Sequence, residues 1–386
     1  MADDATNTIT FHLVAPDPEF VYKLTLPFAY PIPPSTPNEL LHRAGVPGTG
    51  PYMLEGPMTD EGLALVRNPH FQVWSSEAQP DGYVDRIEWT FGVEPEAQIE
   101  AVAAGDADVA LDAFLSDRLG EIFVQFAAQV HTSPRASTWF VVLDTQRPPF
   151  NIVEVRRAIN LALDRERVVQ IYGGEAAARP TCQQLPPNFP GHEPYCPYTL
   201  DPGPEGEGSW TAPDLEEAQR IVRRSGTAGM RVEFEYTPAL GAEWAPLSEY
   251  MVELLDELGY RGSAKQITYG EYQSLGNEFQ MEGGGWLADY PAASTFIDMF
   301  SCETTTYASG LCDPRIDAMI DRAVRLQVED PAAAGALWAE IDREIVLQAP
   351  FLWLVNGIAV EFVSERVGNY QWHPQWGGLL NQIWVR

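Results

Sequence analysis

The sequence predicts an α/β protein of two lobes, and three observations support this prediction. The chain has 386 residues, of which 45% are hydrophobic, so it is long enough to bury more than one core. Segments with alternating apolar residues predict strands. Along most of the chain they alternate with segments of helical spacing, which predict helices. No apolar run of about 18 residues occurs, so the sequence predicts no membrane-spanning helix.

The first lobe is predicted from strands that surround one helix. Residues 8–13 alternate between polar and apolar side chains, which predicts a strand with one buried face. Apolar residues at Ile99, Val102 and Ala103 predict a helix over residues 94–104, which Gly105 ends. Further strands are predicted over residues 52–56, 64–67, 84–92 and 108–111. This order of strands and helix is typical of an α/β lobe.

The second lobe continues the alternation. Asn151, with Glu154 three residues later, predicts the start of a helix that Gly173-Gly174 ends. Further helices are predicted to begin at Asp214, Asp313-Pro314 and Asp330-Pro331. Strands are predicted over residues 137–143, 231–236, 264–268, 281–287 and 351–355. Residues 185–210 lack periodicity and are rich in proline and glycine, which predicts a functional lid or contact loop, with an inert surface loop as the alternative.

One segment of the second lobe combines residue types that suit ligand binding. It reads Gly283-Gly284-Gly285-Trp286-Leu287-Ala288-Asp289-Tyr290-Pro291 and is predicted to begin as a strand and end as a loop. Open α/β sheets bind ligands at the carboxyl ends of their strands. The flat apolar face of Trp286 beside the negative charge of Asp289 suits a ligand that carries an amine. The alternative is a buried tryptophan beside a structural turn aspartate, and the residue types alone do not decide between the two.

This segment resembles the Trp-x-Ala-Asp-Tyr segment of the extracytoplasmic solute-binding proteins of ABC importers, in the family that binds peptides and nickel (family 5). Three other segments agree with that family and occur in its order, so the resemblance spans nearly the whole chain. They are Pro47-Gly48-Thr49-Gly50-Pro51-Tyr52, then Pro148-Pro149-Phe150 followed by Val155-Arg156-Arg157-Ala158-Ile159-Asn160-Leu161-Ala162-Leu163-Asp164-Arg165, and Gln348-Ala349-Pro350. The resemblance implies a two-lobe periplasmic-binding-protein-like fold of type II with a hinged cleft.

The resemblance also implies roles for individual residues. In oligopeptide-binding members the aspartate pairs with the α-amino group of the peptide and the tryptophan lines the pocket, so Asp289 and Trp286 receive these roles here. Leu287, Tyr290 and Trp353 complete the predicted ligand-binding set; Trp353 is included as a candidate pocket aromatic, although an aromatic residue of this kind is more often part of a core.

Four further residues have two interpretations each. Trp372 and Trp376 are candidate pocket aromatics, although aromatic residues are more often part of a core. Arg156 and Arg157 resemble a ligand anchor, but we favour the interpretation that they are structural and pair with neighbouring acids.

Composition limits the functional classes. The chain has 24 basic and 55 acidic residues and a net charge of −31, which argues against a nucleic-acid surface. The same charge favours cationic ligands, or it only keeps an exported protein soluble. The six histidines lack metal-ligand spacing, and no nucleophile elbow, P-loop or dinucleotide motif occurs. The sequence therefore predicts no catalytic residue, no metal and no cofactor, although a glycosidase pair is not excluded by counting carboxylates.

Four cysteines, Cys182, Cys196, Cys302 and Cys312, are not at zinc-site spacing. They predict two local disulfides, Cys182–Cys196 and Cys302–Cys312, and an oxidising compartment. The alternative is four reduced thiols.

The first residues, 1–7, are polar and acidic and are not a signal peptide. Members of the family have a long segment before the strand that corresponds to residues 8–13. The comparison therefore predicts a chain that lacks this N-terminal segment and one wall of the pocket.

Together these observations predict lobe I over residues 1–140 and 357–386, and lobe II over residues 141–356. We expect a monomeric, extracytoplasmic substrate-binding component of an ABC importer. It would capture a peptide or a small amine-bearing solute between the lobes without chemistry and pass it to permease subunits. Nickel chelates and sugars are alternative ligands, and a ligand-sensing domain of a larger regulatory protein is the alternative function.

Overall fold

The computed structural model describes residues 2–3, 5–38, 45–111, 119–274, 278–304 and 309–386. The chain forms two compact units: the first contains residues 1–29, 138–164 and 181–354, and the second contains residues 30–137, 165–180 and 355–386. Both units combine helices with strands, so the predicted α/β class is confirmed. The units are defined by compactness alone, and the predicted boundaries of lobes I and II stay a prediction.

The first unit is built on a sheet whose strands are mostly buried. Its strand order is Arg261–Gln266, Arg231–Tyr236, Met281–Leu287, Ser137–Leu143 and the first residues of Phe351–Val363. Arg231–Tyr236 pairs in parallel with both of its neighbours, as expected for a sheet that helices cover. A separate pair of short strands is formed by Ala2–Asp3 and Thr8–Ile9.

Helices surround this sheet. Those of the first unit are Phe20–Lys23, Val153–Ala162, Leu215–Ser225, Trp244–Glu257, Tyr269–Tyr272, Ser294–Ile297, Pro314–Glu329 and Pro331–Gln348. Short 3-10 turns occur at Pro27–Ala29, Pro204–Gly206, Pro238–Leu240 and Asp298–Phe300.

The core of the first unit is aromatic. The rings of Phe140 and Phe351 stack with centroids 4.2 Å apart, and Phe300 lies 4.8 Å from Phe351. Trp244 and Trp338 are fully buried. Large rings bury much apolar area per side chain, so this cluster contributes strongly to the stability of the unit.

Most predicted helix starts are confirmed. The Asp214 carboxylate accepts a hydrogen bond from the Glu217 backbone, and Asp313 and Asp330 cap the two long helices that begin at Pro314 and Pro331. The predicted cap at Asn151 is wrong, because Ile152 occupies the N-cap position and that helix ends at Ala162. The predicted strand over residues 8–13 is also wrong in extent, because only Thr8–Ile9 pairs and the whole segment is exposed.

A buried acid lies in the middle of the first unit's sheet. Glu282 is only 7% exposed, and its Oε1 has no hydrogen-bond partner among the described residues. The neighbouring strand places Glu235, also buried, in register beside it. Burial, and then the charge of Glu235, raise the pKa of Glu282 to about 7.

Both predicted disulfides are present, with Cα–Cα separations of 5.0 Å for Cys182–Cys196 and 4.7 Å for Cys302–Cys312. The long loop that follows Cys182 is anchored inside the unit by Asp342. This fully buried carboxylate accepts hydrogen bonds from the Gln183 side chain and from the backbones of Gln184 and Leu185. Burial raises the pKa of Asp342 to about 6.

The described strands of the second unit pair in antiparallel orientation. Tyr52–Leu54, Gly62–Arg67 and Arg86–Thr90 form a three-stranded sheet. The later residues of Phe351–Val363 pair with Val109–Ala110, Val130–Pro134 and Ala178–Pro180. The other elements of this unit are the helices Pro95–Ala104, Leu119–Gln125 and Arg165–Ile171 and the short strands Val367–Gly368, Trp372–His373, Gly377–Gly378 and Trp384–Val385.

Across the described residues, none of the helices is both long enough and apolar enough to span a bilayer.

Candidate ligand-binding site

The strand Met281–Leu287 leads to the predicted site, and its glycines are explained by packing. A Cβ atom on Gly283 would collide with the ring of Trp244, and one on Gly285 would collide with the ring of Trp139. Glycines let another group come close to the backbone, and here the protein's own tryptophans do so. Only glycine allows these rings to lie so close to the strand.

One hydroxyl group connects the two central site residues. The Oγ1 of Thr295 accepts hydrogen bonds from the indole Nε1 of Trp286 at 3.3 Å and from the backbone nitrogen of Asp289 at 3.2 Å. The same hydroxyl donates to Oδ2 of Asp289 at 3.2 Å. Thr295 is 7% exposed, so water competes little for these bonds. The structure thus brings Trp286 and Asp289 together through a residue that sequence reasoning did not identify.

The Asp289 carboxylate is half-buried and carries no cationic partner: none of the ion pairs among the described residues includes it. Burial raises the pKa of Asp289, and the hydrogen bond from Thr295 opposes this effect. A cationic group placed beside this carboxylate would restore the stability of its charged form. Trp286 is also half-buried, so the protein does not enclose its side chain completely.

Tyr290 and Ser294 are fixed by an acid from the N-terminal part of the chain. The Tyr290 hydroxyl donates to Oε2 of Glu19 at 3.1 Å, and the Ser294 hydroxyl donates to Oε1 at 2.7 Å. The ring of Tyr22 stacks on that of Tyr290, with centroids 6.3 Å apart and an interplanar angle of 11°. Residues 288–295 are named here the site turn. Thr295, which belongs to this turn, bonds to Asp289, and the segment around Glu19 contacts Tyr290 and Ser294.

The remaining predicted site residues have different surroundings. Leu287 is 43% exposed at the end of the strand, next to the site turn. Trp353 is fully buried, and its Nε1 donates to Oε1 of Gln184 at 3.1 Å, which is the environment of a core residue. Trp372 and Trp376 belong to the second unit. Ligand contacts by Leu287, Trp353 and the other site residues stay predictions.

Arg156 and Arg157 bind carbonyl groups at the end of the helix Pro331–Gln348. Arg156 is 5% exposed and donates to the carbonyls of Phe150, Gln348 and Ala349. Arg157 donates twice to the carbonyl of Leu347. The last carbonyls of a helix lack partners within the helix, and cations are favoured at this end. The favoured structural interpretation holds, but within the described parts of the chain the arginines pair with backbone oxygens and not with neighbouring acids.

Comparison with known proteins gives the family. A family model described as "Bacterial extracellular solute-binding proteins, family 5 Middle" matches residues 1–308, well over half of the chain. The chain belongs to this family. The resemblance that its motifs indicated is therefore confirmed, and with it a solute-binding function in preference to the regulatory-domain alternative.

Several relatives of this family 5 protein carry peptide-related names. It is 25% identical over 379 residues to the probable di/tripeptide-binding protein 5 of Pseudomonas aeruginosa, covering 93% of this chain and 67% of the relative. It is 21% identical over 387 residues to the periplasmic oligopeptide-binding protein OppA of Escherichia coli, covering 95% and 66%. The chain thus spans about two thirds of the length of these curated relatives.

Solved structures confirm the two-lobe periplasmic-binding-protein fold. The clavulanic acid biosynthesis oligopeptide binding protein 2 matches with a TM-score of 0.80 and 23% identity, over 97% of this chain and 70% of that one. The DppA protein of Helicobacter pylori, solved in complex with the peptide STSA, matches with a TM-score of 0.77 and 19% identity, over 97% and 72%. At these identities the likeness concerns the fold.

The family and its named relatives are binding proteins, which agrees with the absence of catalytic motifs from the sequence. Across the part of the chain that the structure describes, no group of three or more histidine, cysteine, aspartate or glutamate side chains could hold a metal ion.

Proposed function

We propose that this protein is the substrate-binding component of an ABC importer and captures a peptide or a related amine-bearing solute. The observation that carries this proposal is the Asp289 carboxylate, which is half-buried, lacks an ionic partner among the described residues and shares the Thr295 hydroxyl with Trp286. The ligand amine supplies the counter-ion, and its apolar part packs on the Trp286 ring.

The energetics favour an amine at this position. A hydrogen bond to a charged group contributes about 1.5–3 kcal/mol, roughly twice a neutral one. Asp289 is partly removed from water, so its interaction with a cation is screened less than at a fully exposed site. The net charge of −31 adds long-range attraction for cationic groups and repulsion for anionic ones.

The names of relatives support a peptide but do not fix the ligand. Di/tripeptide-binding and oligopeptide-binding proteins occur among them, together with a heme-binding protein of Haemophilus influenzae and a probable deoxycholate-binding protein of E. coli. Heme and deoxycholate carry carboxylates and no amine. The unpaired charge of Asp289 favours the amine-bearing group of ligands over these two.

The remaining features of the proposal follow from the same function. The protein acts as a monomer outside the cytoplasm, delivers its ligand to permease subunits, and performs no chemistry on it. Its strongly negative charge makes a nucleic-acid partner unfavourable. The two disulfides support an oxidising, extracytoplasmic location.

A thermal-shift screen of di-, tri- and oligopeptides tests the proposal. A ligand at one hundred times its dissociation constant stabilises the folded state by about 2.7 kcal/mol, which a melting curve detects. We expect stabilisation by free-amine peptides and none by heme or deoxycholate. Stabilisation by the carboxylate ligands alone, with no response to any peptide, would overturn it.

A further inference from the structure

Glu19 is a buried carboxylate that binds two residues of the site turn. Glu19 is 3% exposed and directly precedes the short helix Phe20–Lys23. Ser294 donates to one of its oxygens and Tyr290 to the other. Burying a carboxylate is costly unless its oxygens are satisfied, so these two hydroxyls are what makes the buried position of Glu19 tolerable.

The compensation of the Glu19 charge is weak. Among the described residues, the cation that pairs with Glu19 is Lys23, whose Nζ lies 4.0 Å from Glu19 but 2.8 Å from Asp17, and whose side chain is 44% exposed. The backbone nitrogen of Glu19 is held by the Asp17 carboxylate at 3.0 Å. Lys23 therefore neutralises Asp17 first, and the main partners of Glu19 are the hydroxyls of the site turn.

The two hydroxyls that Glu19 binds are placed around the site. Tyr290 directly follows Asp289, and Ser294 directly precedes Thr295. A displacement of Tyr290 would move the adjacent backbone of Asp289, and a displacement of Ser294 would move that of Thr295. Either movement would disturb the three hydrogen bonds that the Thr295 hydroxyl makes. Burial, followed by the charge of Glu19, raises the pKa of Tyr290, so its hydroxyl stays protonated and remains a donor.

We propose that Glu19 is a positioning residue of the amine site, which holds Tyr290 and Ser294 so that Thr295 keeps Asp289 and Trp286 in register with a ligand amine. This inference rests on the proposed function. Glu19 lies more than 270 positions before Tyr290 and Ser294 in the sequence. The inference gives it a share in the discrimination between free and blocked amines.

The test compares Glu19→Gln with Lys23→Met. Glutamine keeps the volume of the side chain but offers one carbonyl oxygen in place of two carboxylate oxygens, so one hydroxyl loses its acceptor. The measured quantity is the ratio of dissociation constants for an N-acetylated peptide and its free-amine parent. We expect this ratio to fall about tenfold in Glu19→Gln, equivalent to the loss of one hydrogen bond. Lys23→Met removes the 2.8 Å pair with Asp17 and the 4.0 Å pair with Glu19 but leaves both hydroxyls on Glu19, and we expect it to leave the ratio unchanged.

A merely structural role gives a different result. In that case Glu19→Gln lowers the melting temperature or weakens both peptides equally, the ratio stays at the wild-type value, and the proposal is overturned. If Glu19→Gln does not fold, Ser294→Ala removes a single donor to Glu19, at a residue outside the predicted ligand-binding set, and the same ratio is compared.

A second readout needs no ligand. The indole N–H proton of Trp286, assigned in NMR spectra by its loss in Trp286→Phe, is bonded to Thr295 in the wild type. We expect this proton to exchange with water at least about tenfold faster in Glu19→Gln than in Lys23→Met. Equal exchange rates in the two variants would overturn the positioning role. If the wild type shows no preference for free amines, the proposed function fails, and this readout still decides the role of Glu19.

Discussion

The hydroxyl of Thr295 donates to the Asp289 carboxylate at 3.2 Å while it accepts the indole N–H of Trp286 at 3.3 Å. The charge that would bind a ligand amine and the ring that would pack on the ligand are thus fixed to one atom. Pre-organisation of this kind lowers the cost of ordering side chains when a ligand binds. The first prediction follows from this relationship.

Thr295→Val should weaken binding of a free-amine peptide about tenfold, because valine keeps the shape of threonine but leaves the Trp286 and Asp289 groups without their partner. Thr295→Ser retains the hydroxyl and should bind within about threefold of the wild type. Isothermal titration calorimetry measures both. Equal affinities of the valine variant and the wild type would show that the Thr295 hydrogen bonds do not contribute to binding.

Glu282 should make the protein less stable as the pH rises. Its carboxyl has an ordinary pKa near 4.5 in the unfolded chain and about 7 when folded, so the folded state binds the proton more tightly. This contribution is fully present below the unfolded pKa of about 4.5 and is lost as the pH rises through about 7. Glu282→Gln removes the titration, so the variant should exceed the wild type in stability above this window by up to about 3 kcal/mol.

Urea unfolding at pH 5 and pH 8 measures this difference. Asp342, whose raised pKa has the same sign, is present in both proteins and cancels in the comparison. Glu257→Gln, at an exposed helix end, is the control for the loss of one negative charge. If the free energy of unfolding changed equally with pH in the wild type and in Glu282→Gln, the result would contradict a buried, ionisable Glu282.

Arg156→Ala should destabilise the first unit by about 3 kcal/mol, because it leaves buried carbonyls of Phe150, Gln348 and Ala349 without donors. Arg157→Ala is the matched comparison. Its bonds to Leu347 are solvent-exposed, and we expect a loss of about 1 kcal/mol or less. The midpoints of chemical unfolding give both values, and an equal loss in the two variants would contradict the assignment of Arg156 as the buried partner of the helix end.

Replacing Cys182 and Cys196 together by serine should cost about 3 kcal/mol, since this disulfide closes a loop between cysteines 14 positions apart in the sequence. Mass spectrometry of proteolytic fragments under non-reducing conditions first verifies the pairing. Recovery of peptides that link Cys182 to Cys302 or Cys312 would contradict the local connectivity.

Much of the fold could be predicted because local signals decided it. The strand Met281–Leu287 and the helix starts at Asp214, Asp313 and Asp330 each combine periodicity with a capping or breaking residue. Asn151 was misleading because it precedes the N-cap by one residue, and sequence patterns locate helix ends less well than helices. Both disulfides were predictable because each joins neighbouring cysteines within a loop.

The organisation of the site was less predictable. Trp286 and Asp289 were found through residue type and resemblance, whereas Thr295 and Glu19 were not. Ser294-Thr295 follows Ala292-Ala293 with no motif to distinguish it from an ordinary helix start. The contact of Glu19 with the site turn joins distant parts of the sequence, which periodicity does not report. No local pattern indicates that Trp139 and Trp244 pack against the glycines of the strand Met281–Leu287.

The most direct test of amine capture is a cycle that combines one change in the protein with one change in the ligand. Calorimetry would measure the binding of a peptide and its N-acetylated copy to the wild type and to Asp289→Asn. Asp321→Asn, at an exposed helix position, controls for net charge. We predict that acetylation costs the wild type and Asp321→Asn about 2 kcal/mol or more and costs Asp289→Asn almost nothing, because the two changes remove the same interaction. An equal cost of acetylation in all three proteins would contradict the account, because the amine would then bind elsewhere.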